Sequence, residues 1–144
     1  MKKYIITLFI SLVIIGKTNA QKDIVGVWYN TLKTGKVQII EKDGKFFGKI
    51  IWLKEPLDEK TGKPKTDINN PDANKHKNAI IGLNVLSGFK YEDGVYVDGK
   101  IYDPENGKLY SCKMTLKDKD HLDVRGYIGF SLLGRTENWT RAAK

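Results

Sequence analysis

Between residues 24 and 141 the chain is cut into short β-forming runs by Gly- and Asp-bearing turn signals, and one polar connection is too long to be a turn. Runs at 25–30 and 37–41 flank Lys33-Thr34-Gly35, and Lys42-Asp43-Gly44-Lys45 carries the Asp-Gly pair of a tight hairpin into a run at 46–54. Later runs at 79–91, 95–102, 108–117 and 122–128 are separated by Glu92-Asp93-Gly94, by Asp103-Pro104-Glu105-Asn106-Gly107 and by Asp118-Lys119-Asp120. Nowhere does a helical period run long enough to interrupt them. With a last run at 133–141, the spacing predicts an all-β chain of about eight antiparallel strands joined in sequence order. Residues 55–78, with Pro56, Gly62, Pro64 and Pro71, are predicted to be a long loop.

A meander of that size closes as a barrel or flattens into a sandwich. The last two strands favour closure. Leu122, Val124, Gly126 and Ile128 alternate with Asp123, Arg125 and Tyr127, as in a strand with one buried face. The final strand has no simply apolar face: Arg135, Glu137, Trp139 and Arg141 share one side, and Gly134, Thr136, Asn138 and Thr140 share the other. That pattern suits an up-and-down barrel whose last strand looks into a lumen on one face and pairs with the first strand. Glycines at 48, 82, 88, 99, 126 and 134 supply the coiling and bulges that a small closed sheet needs.

The beginning of the chain is predicted to be a secretory signal peptide. Met1-Lys2-Lys3 is basic, residues 4–15 are apolar, and Thr18-Asn19-Ala20 is a small-residue cleavage site before Gln21. The apolar run falls short of the roughly 20 residues that span a bilayer, so no membrane span is expected after cleavage. Residues 21–144 then form a single domain in the periplasm or outside the cell. The net charge of +8 is spread along the chain without a basic stripe interleaved with aromatics, which argues against nucleic acid as a partner. Cys112 is the single cysteine, in register with Tyr110, Met114 and Leu116, and reads as a buried small hydrophobe.

Gly26-Val27-Trp28 opens the first strand. Gly lets the backbone bend, the indole closes one barrel end, and a guanidinium from the last strand, Arg141 or Arg135, lies on the indole face. This set resembles the signature of the calycin barrels, which include lipocalins, fatty-acid-binding proteins and avidins. A closer match covers most of the chain: GVWY, DGKFFGKI, DINNPD, IIGLNVLSGF, DGKIYDPENGKLYSCKM, LDVRGYIG and LLGRTENWTR. In that order these resemble the exported bacterial family catalogued as domain of unknown function 2147. The resemblance implies a lipocalin-like barrel and no assigned activity. Residues 26–34 also resemble the opening of streptavidin, in which an Asn and a Ser hold the ureido group of biotin; the matching positions are Asn30 and Thr34. The later tryptophans and aspartate of that site find no counterpart, so biotin rests on analogy alone.

For ligand binding, Arg135, Glu137 and Trp139 lie two apart and are expected to point inward together. The plain reading of the charged pair is an internal salt bridge or a wet barrel mouth, and the sharper one is an anchor for a carboxylate or phosphate headgroup. Trp52 shares a face with Phe46, Gly48 and Ile50 and reads as core or pocket wall, and Asn30 completes the candidate set. Tyr102, Arg125 and Tyr127 read as outer-face residues. The Asp- and Asn-rich stretch 67–72 lacks the Gly and the terminal Glu of a calcium loop, so Asx turns explain it more simply; a flap over the barrel mouth is the other role for the loop. His76 and His121 have no third zinc ligand beside them, and no nucleophile elbow or phosphate loop appears. The expectation is therefore a non-enzymatic, cofactor-free barrel that binds a small, partly apolar ligand. The alternative is a structural or protein-interaction barrel with a packed interior and an exposed apolar patch.

Overall fold

The computed structural model describes residues 23–130 and 132–143. The predicted signal peptide at 1–20 lies outside the described residues. Eight strands follow in chain order: β1 Gly26–Tyr29, β2 Gly35–Lys42, β3 Lys45–Leu53, β4 Asn84–Glu92, β5 Val95–Asp103, β6 Lys108–Asp118, β7 His121–Tyr127 and β8 Gly134–Arg141. Each pairs antiparallel with the next, and β8 returns to β1 through Trp28↔Arg141 and Tyr29↔Thr140, closing the barrel. The helical content among the described residues is one 3₁₀ turn, Ala73–Lys75, inside the β3–β4 connection. The hairpins at 42–45 and 92–95 turn through Asp43-Gly44 and Asp93-Gly94, all four at positive φ, as two-residue loops with an Asp-Gly pair require.

Alternation sends one face of every strand inward. Ile24, Trp28, Ile39, Phe46, Leu86, Phe89, Tyr96, Cys112, Met114 and Leu122 are fully or almost fully buried and form one continuous core. Phe46 and Tyr91 meet the ring of Tyr96 edge-on at 5.0 and 5.2 Å between centroids. Strand β5 bulges between Tyr96 and Gly99, with Asp98 at φ 59°, so that both flanking residues face inward. Gly99 must be glycine, because a Cβ there would lie 2.3 Å from the Phe89 ring. Burial pushes the Cys112 thiol up to about 12, which leaves it protonated and inert, as a core role requires.

In a closed meander, connections alternate between the two ends. One end, here the base, carries the chain entry, the short hairpins after β2, β4 and β6, and the end of β8. The Trp28 indole seals it, donating from Nε1 to the Ile24 carbonyl at 2.8 Å. The guanidinium over that ring belongs to Arg141, 4.2 Å from the centroid. Arg141 also donates to three backbone carbonyls: Nε to Lys119 (2.6 Å), Nη1 to Val25 (3.1 Å) and Nη2 to Asp23 (2.6 Å). Gly26 lets the guanidinium pass, since a Cβ there would sit 2.8 Å from Nη1. One side chain thus binds the chain entry, the β6–β7 turn and the closing strand. Arg141→Lys, which keeps the charge but loses the planar fork, is expected to destabilise the protein by about 2–4 kcal/mol in urea unfolding. A change below about 0.5 kcal/mol would mean that the base is held by packing alone.

Candidate functional site

The other end, the mouth, carries the β1–β2 turn, the long β3–β4 connection, the β5–β6 turn and the β7–β8 loop. On β8 the expected inward row is present. Trp139 pairs with Leu122, Glu137 with Val124 and Arg135 with Gly126, all on the inner face. Exposure rises along this row from the core outward: 4% for Trp139, then 34% and 83% for the side chains of Glu137 and Arg135. Glu137 holds both neighbours, accepting from Trp139 Nε1 at 3.1 Å and from Arg135 Nη2 at 2.5 Å. That bond to Glu137, with Asp103 and Glu105 farther off, holds the Arg135 guanidinium pKa above its usual value. The guanidinium faces carboxylates on its own protein, so it is not a vacant anion clamp. Across from it, Ile101 and Tyr110 converge over Gly126, and Asn106 Nδ2 donates to the Tyr110 hydroxyl at 3.0 Å. Among the described residues no group of His, Cys, Asp and Glu could hold a metal ion.

Two of the expected residues lie elsewhere. Trp52 is not on the face of Phe46, Gly48 and Ile50. The β2–β3 register shifts between Lys36 and Val37, so Ile50 pairs with Val37 but Trp52 pairs with Lys36, and the extra residue turns Trp52 outward. There it meets Tyr29 edge-on at 6.1 Å, with Lys36 Nζ 4.8 Å from the Tyr29 centroid and 5.2 Å from that of Trp52. Asn30 is spent in the β1–β2 turn: its Oδ1 accepts from the Thr34 and Gly35 amides, and its Nδ2 donates to Thr34 Oγ1 at 2.8 Å. The two positions matching the biotin site therefore bond to each other.

The connection from residue 54 to 83 is held by its own polar groups. Asp58, Asn70 and Asp72 accept backbone amides two or three residues on, as Asx turns do. Asp67 is the buried charged residue among the described positions; it accepts from the Tyr102 hydroxyl and from Asn70 Nδ2, each at 2.7 Å. Asn69 Nδ2 reaches the Pro104 and Glu105 carbonyls on the β5–β6 turn, and its own carbonyl packs so closely on Gly107 that a Cβ there would collide. The segment is thus a strap fastened to the outer side of β5, with Ile80 in the core. Sequence reasoning missed the Asp67–Tyr102 contact. Its signal was present in DINNPD and DGKIYDPENGK, two stretches that the fold brings against each other.

A family model covers residues 26–141, under the description of an uncharacterized protein conserved in bacteria, DUF2147. The chain belongs to the DUF2147 family. Its structure is similar to that of protein HP1028 from Helicobacter pylori, described as belonging to the lipocalin family, with a TM-score of 0.71, 23% identity and 83% of each chain covered. At that identity the likeness establishes a lipocalin-like barrel fold for this DUF2147 chain. No curated protein matches it.

Two measurements probe the mouth and the strap. An exposed ion pair is worth little, so Arg135→Ala should change unfolding stability by under about 1 kcal/mol; a larger loss would make the pair a structural brace. Burial and the Asp67 carboxylate push the Tyr102 phenol up from 10.0 to about 12. Below pH 10.0 the phenol is neutral in both folded and unfolded chains; from there to about 12 the unfolded chain alone releases its proton. Stability should therefore fall across that window, and Tyr102→Phe should make the fall shallower. Urea unfolding at stepped alkaline pH checks both.

Proposed function

We propose that this protein is an exported, non-enzymatic lipocalin-like barrel that binds a small, partly apolar molecule at its mouth. The observation that carries this is the inward row on β8: a charged pair is turned to the inside of the barrel and left open to solvent directly above a buried tryptophan. Such a row offers an apolar wall below and both a donor and an acceptor above, which is how ligand sites fix orientation. Because Arg135 already faces Glu137, with Asp103 and Glu105 nearby, the polar end of the ligand should bring donors as well as acceptors, rather than a bare carboxylate. The core is packed as far as Trp139 and Val124, so the molecule is proposed to sit at the mouth above them. Export is supported by the basic and apolar leader with its small-residue cleavage site.

The packed core also favours a second reading, a barrel that works through contacts made by its outer surface. Two recessed clefts support it: they lie on β2, β3 and the start of β4, one of them about 660 Å³ and lined by Ile40, Lys42, Asp43, Lys45, Phe47 and Asn84.

Native mass spectrometry of protein recovered from the exported fraction distinguishes the two. The mouth reading expects a discrete adduct that disappears on denaturation and is absent from Gly126→Val, whose side chain fills the space between Ile101 and Tyr110. A bare mass for the parent protein, or an adduct that Gly126→Val retains, would favour the second reading.

A further inference from the structure

The two ends of the barrel differ in chemistry. At the base, the hairpin tips are Lys42-Asp43-Gly44-Lys45, Glu92-Asp93-Gly94 and Asp118-Lys119-Asp120-His121, without an apolar side chain. At the mouth, Leu32 tips the β1–β2 turn, Ile128, Phe130, Leu132 and Leu133 occupy the β7–β8 loop, and Leu109 opens β6, all strongly exposed. Because β1 pairs with β8, the first two groups are neighbours, and Thr31 Oγ1 ties the turn to the β8 backbone by donating to the Asn138 carbonyl at 3.1 Å.

An exposed apolar cluster of this kind marks a contact surface, and its surroundings indicate the partner. Residues 31–34 and 127–134, which carry the tips, contain Lys33 and no acid; Arg135, just past them, is paired with Glu137. Just behind the tips, at the mouth ends of β1, β3 and β7, the outer face carries Tyr29, Trp52 and Tyr127, with Lys36 over the first two rings. Apolar tips, then aromatic side chains with a polar edge, then cations, is the order of groups met on passing out of a bilayer through its interface. Lower on the barrel wall the outward side chains include Gln38, Lys49, Lys90, Lys100 and Lys113. Such a wall cannot face hydrocarbon, so the barrel rests on the surface and does not span it.

We propose that the mouth docks onto an anionic phospholipid surface, inserting Leu32, Phe130, Leu132 and Leu133, with Lys33 and Lys36 against the headgroups. The proposal rests on the exposed tips and not on the ligand proposed for the barrel.

Flotation of the purified protein with vesicles of phosphatidylglycerol and phosphatidylcholine, compared with phosphatidylcholine alone, tests it. Expected are binding to the anionic vesicles, weakening as salt rises, and a loss of about tenfold or more in the double variant Phe130→Ser/Leu132→Ser. Ile40→Ser, on the outer face of β2 away from these tips, should bind like the parent. In Phe130→Trp, the emission difference from the parent should shift to the blue on adding the anionic vesicles. No binding to anionic vesicles, undiminished binding by the double variant, or an equal loss in Ile40→Ser would overturn the proposal and leave the apolar tips to a protein partner.

Discussion

The barrel depends on what happens where its last strand meets its first. Strand β1 is four residues long and pairs with β8 at only two positions, Trp28↔Arg141 and Tyr29↔Thr140. A seam that short carries few ladder hydrogen bonds, and a meander left open there would expose two edges. Arg141 compensates from the side chain. Its guanidinium covers the Trp28 ring while its donors hold carbonyls of Asp23, Val25 and Lys119. Arginine suits this position because it presents several donors in a plane, remains charged, and is weakly enough hydrated to lie on an indole.

Closing the base in this way leaves the candidate site at the other end. In an up-and-down barrel every second connection faces the same way, so the segments after β1, β3, β5 and β7 gather at the mouth. Two of them are specialised in opposite senses. The β3–β4 strap is polar and fastened through Asp67, Asn69 and Tyr102, whereas the β7–β8 loop is apolar and exposed. Following the apolar loop, β8 carries the graded row from Trp139 to Arg135. The fold thus separates a sealed end, which stabilises, from an open end, where binding is possible without disturbing the core.

Much of this was legible in the sequence because β-structure writes a simple code. Alternation, Asp-Gly turns and a closing strand of mixed polarity are local signals, and they gave the strand order, the barrel and the shared inward face of Arg135, Glu137 and Trp139. The code fails where a strand carries an extra residue. One bulge between β2 and β3 reverses the facing of Trp52, and nothing in KFFGKIIWL announces it. Asn30 illustrates a different limit. Its resemblance to a ligand-contacting Asn is a fact of sequence, but whether an amide points into a lumen or closes its own turn depends on the backbone around it.

The sequence by itself therefore determined the class of fold, the number and order of strands and the pairing of Trp28 with a terminal arginine, since each follows from side-chain period or from short-range turn chemistry. Tertiary structure alone decided which arginine covers the indole, which way Trp52 faces, and that DINNPD and the β5–β6 turn form one fastening. It also decided that the apolar tips lie together at one end. These are contacts between residues tens of positions apart, and no local preference specifies them; they are fixed only when closure of the barrel sets the register of every strand against its neighbours.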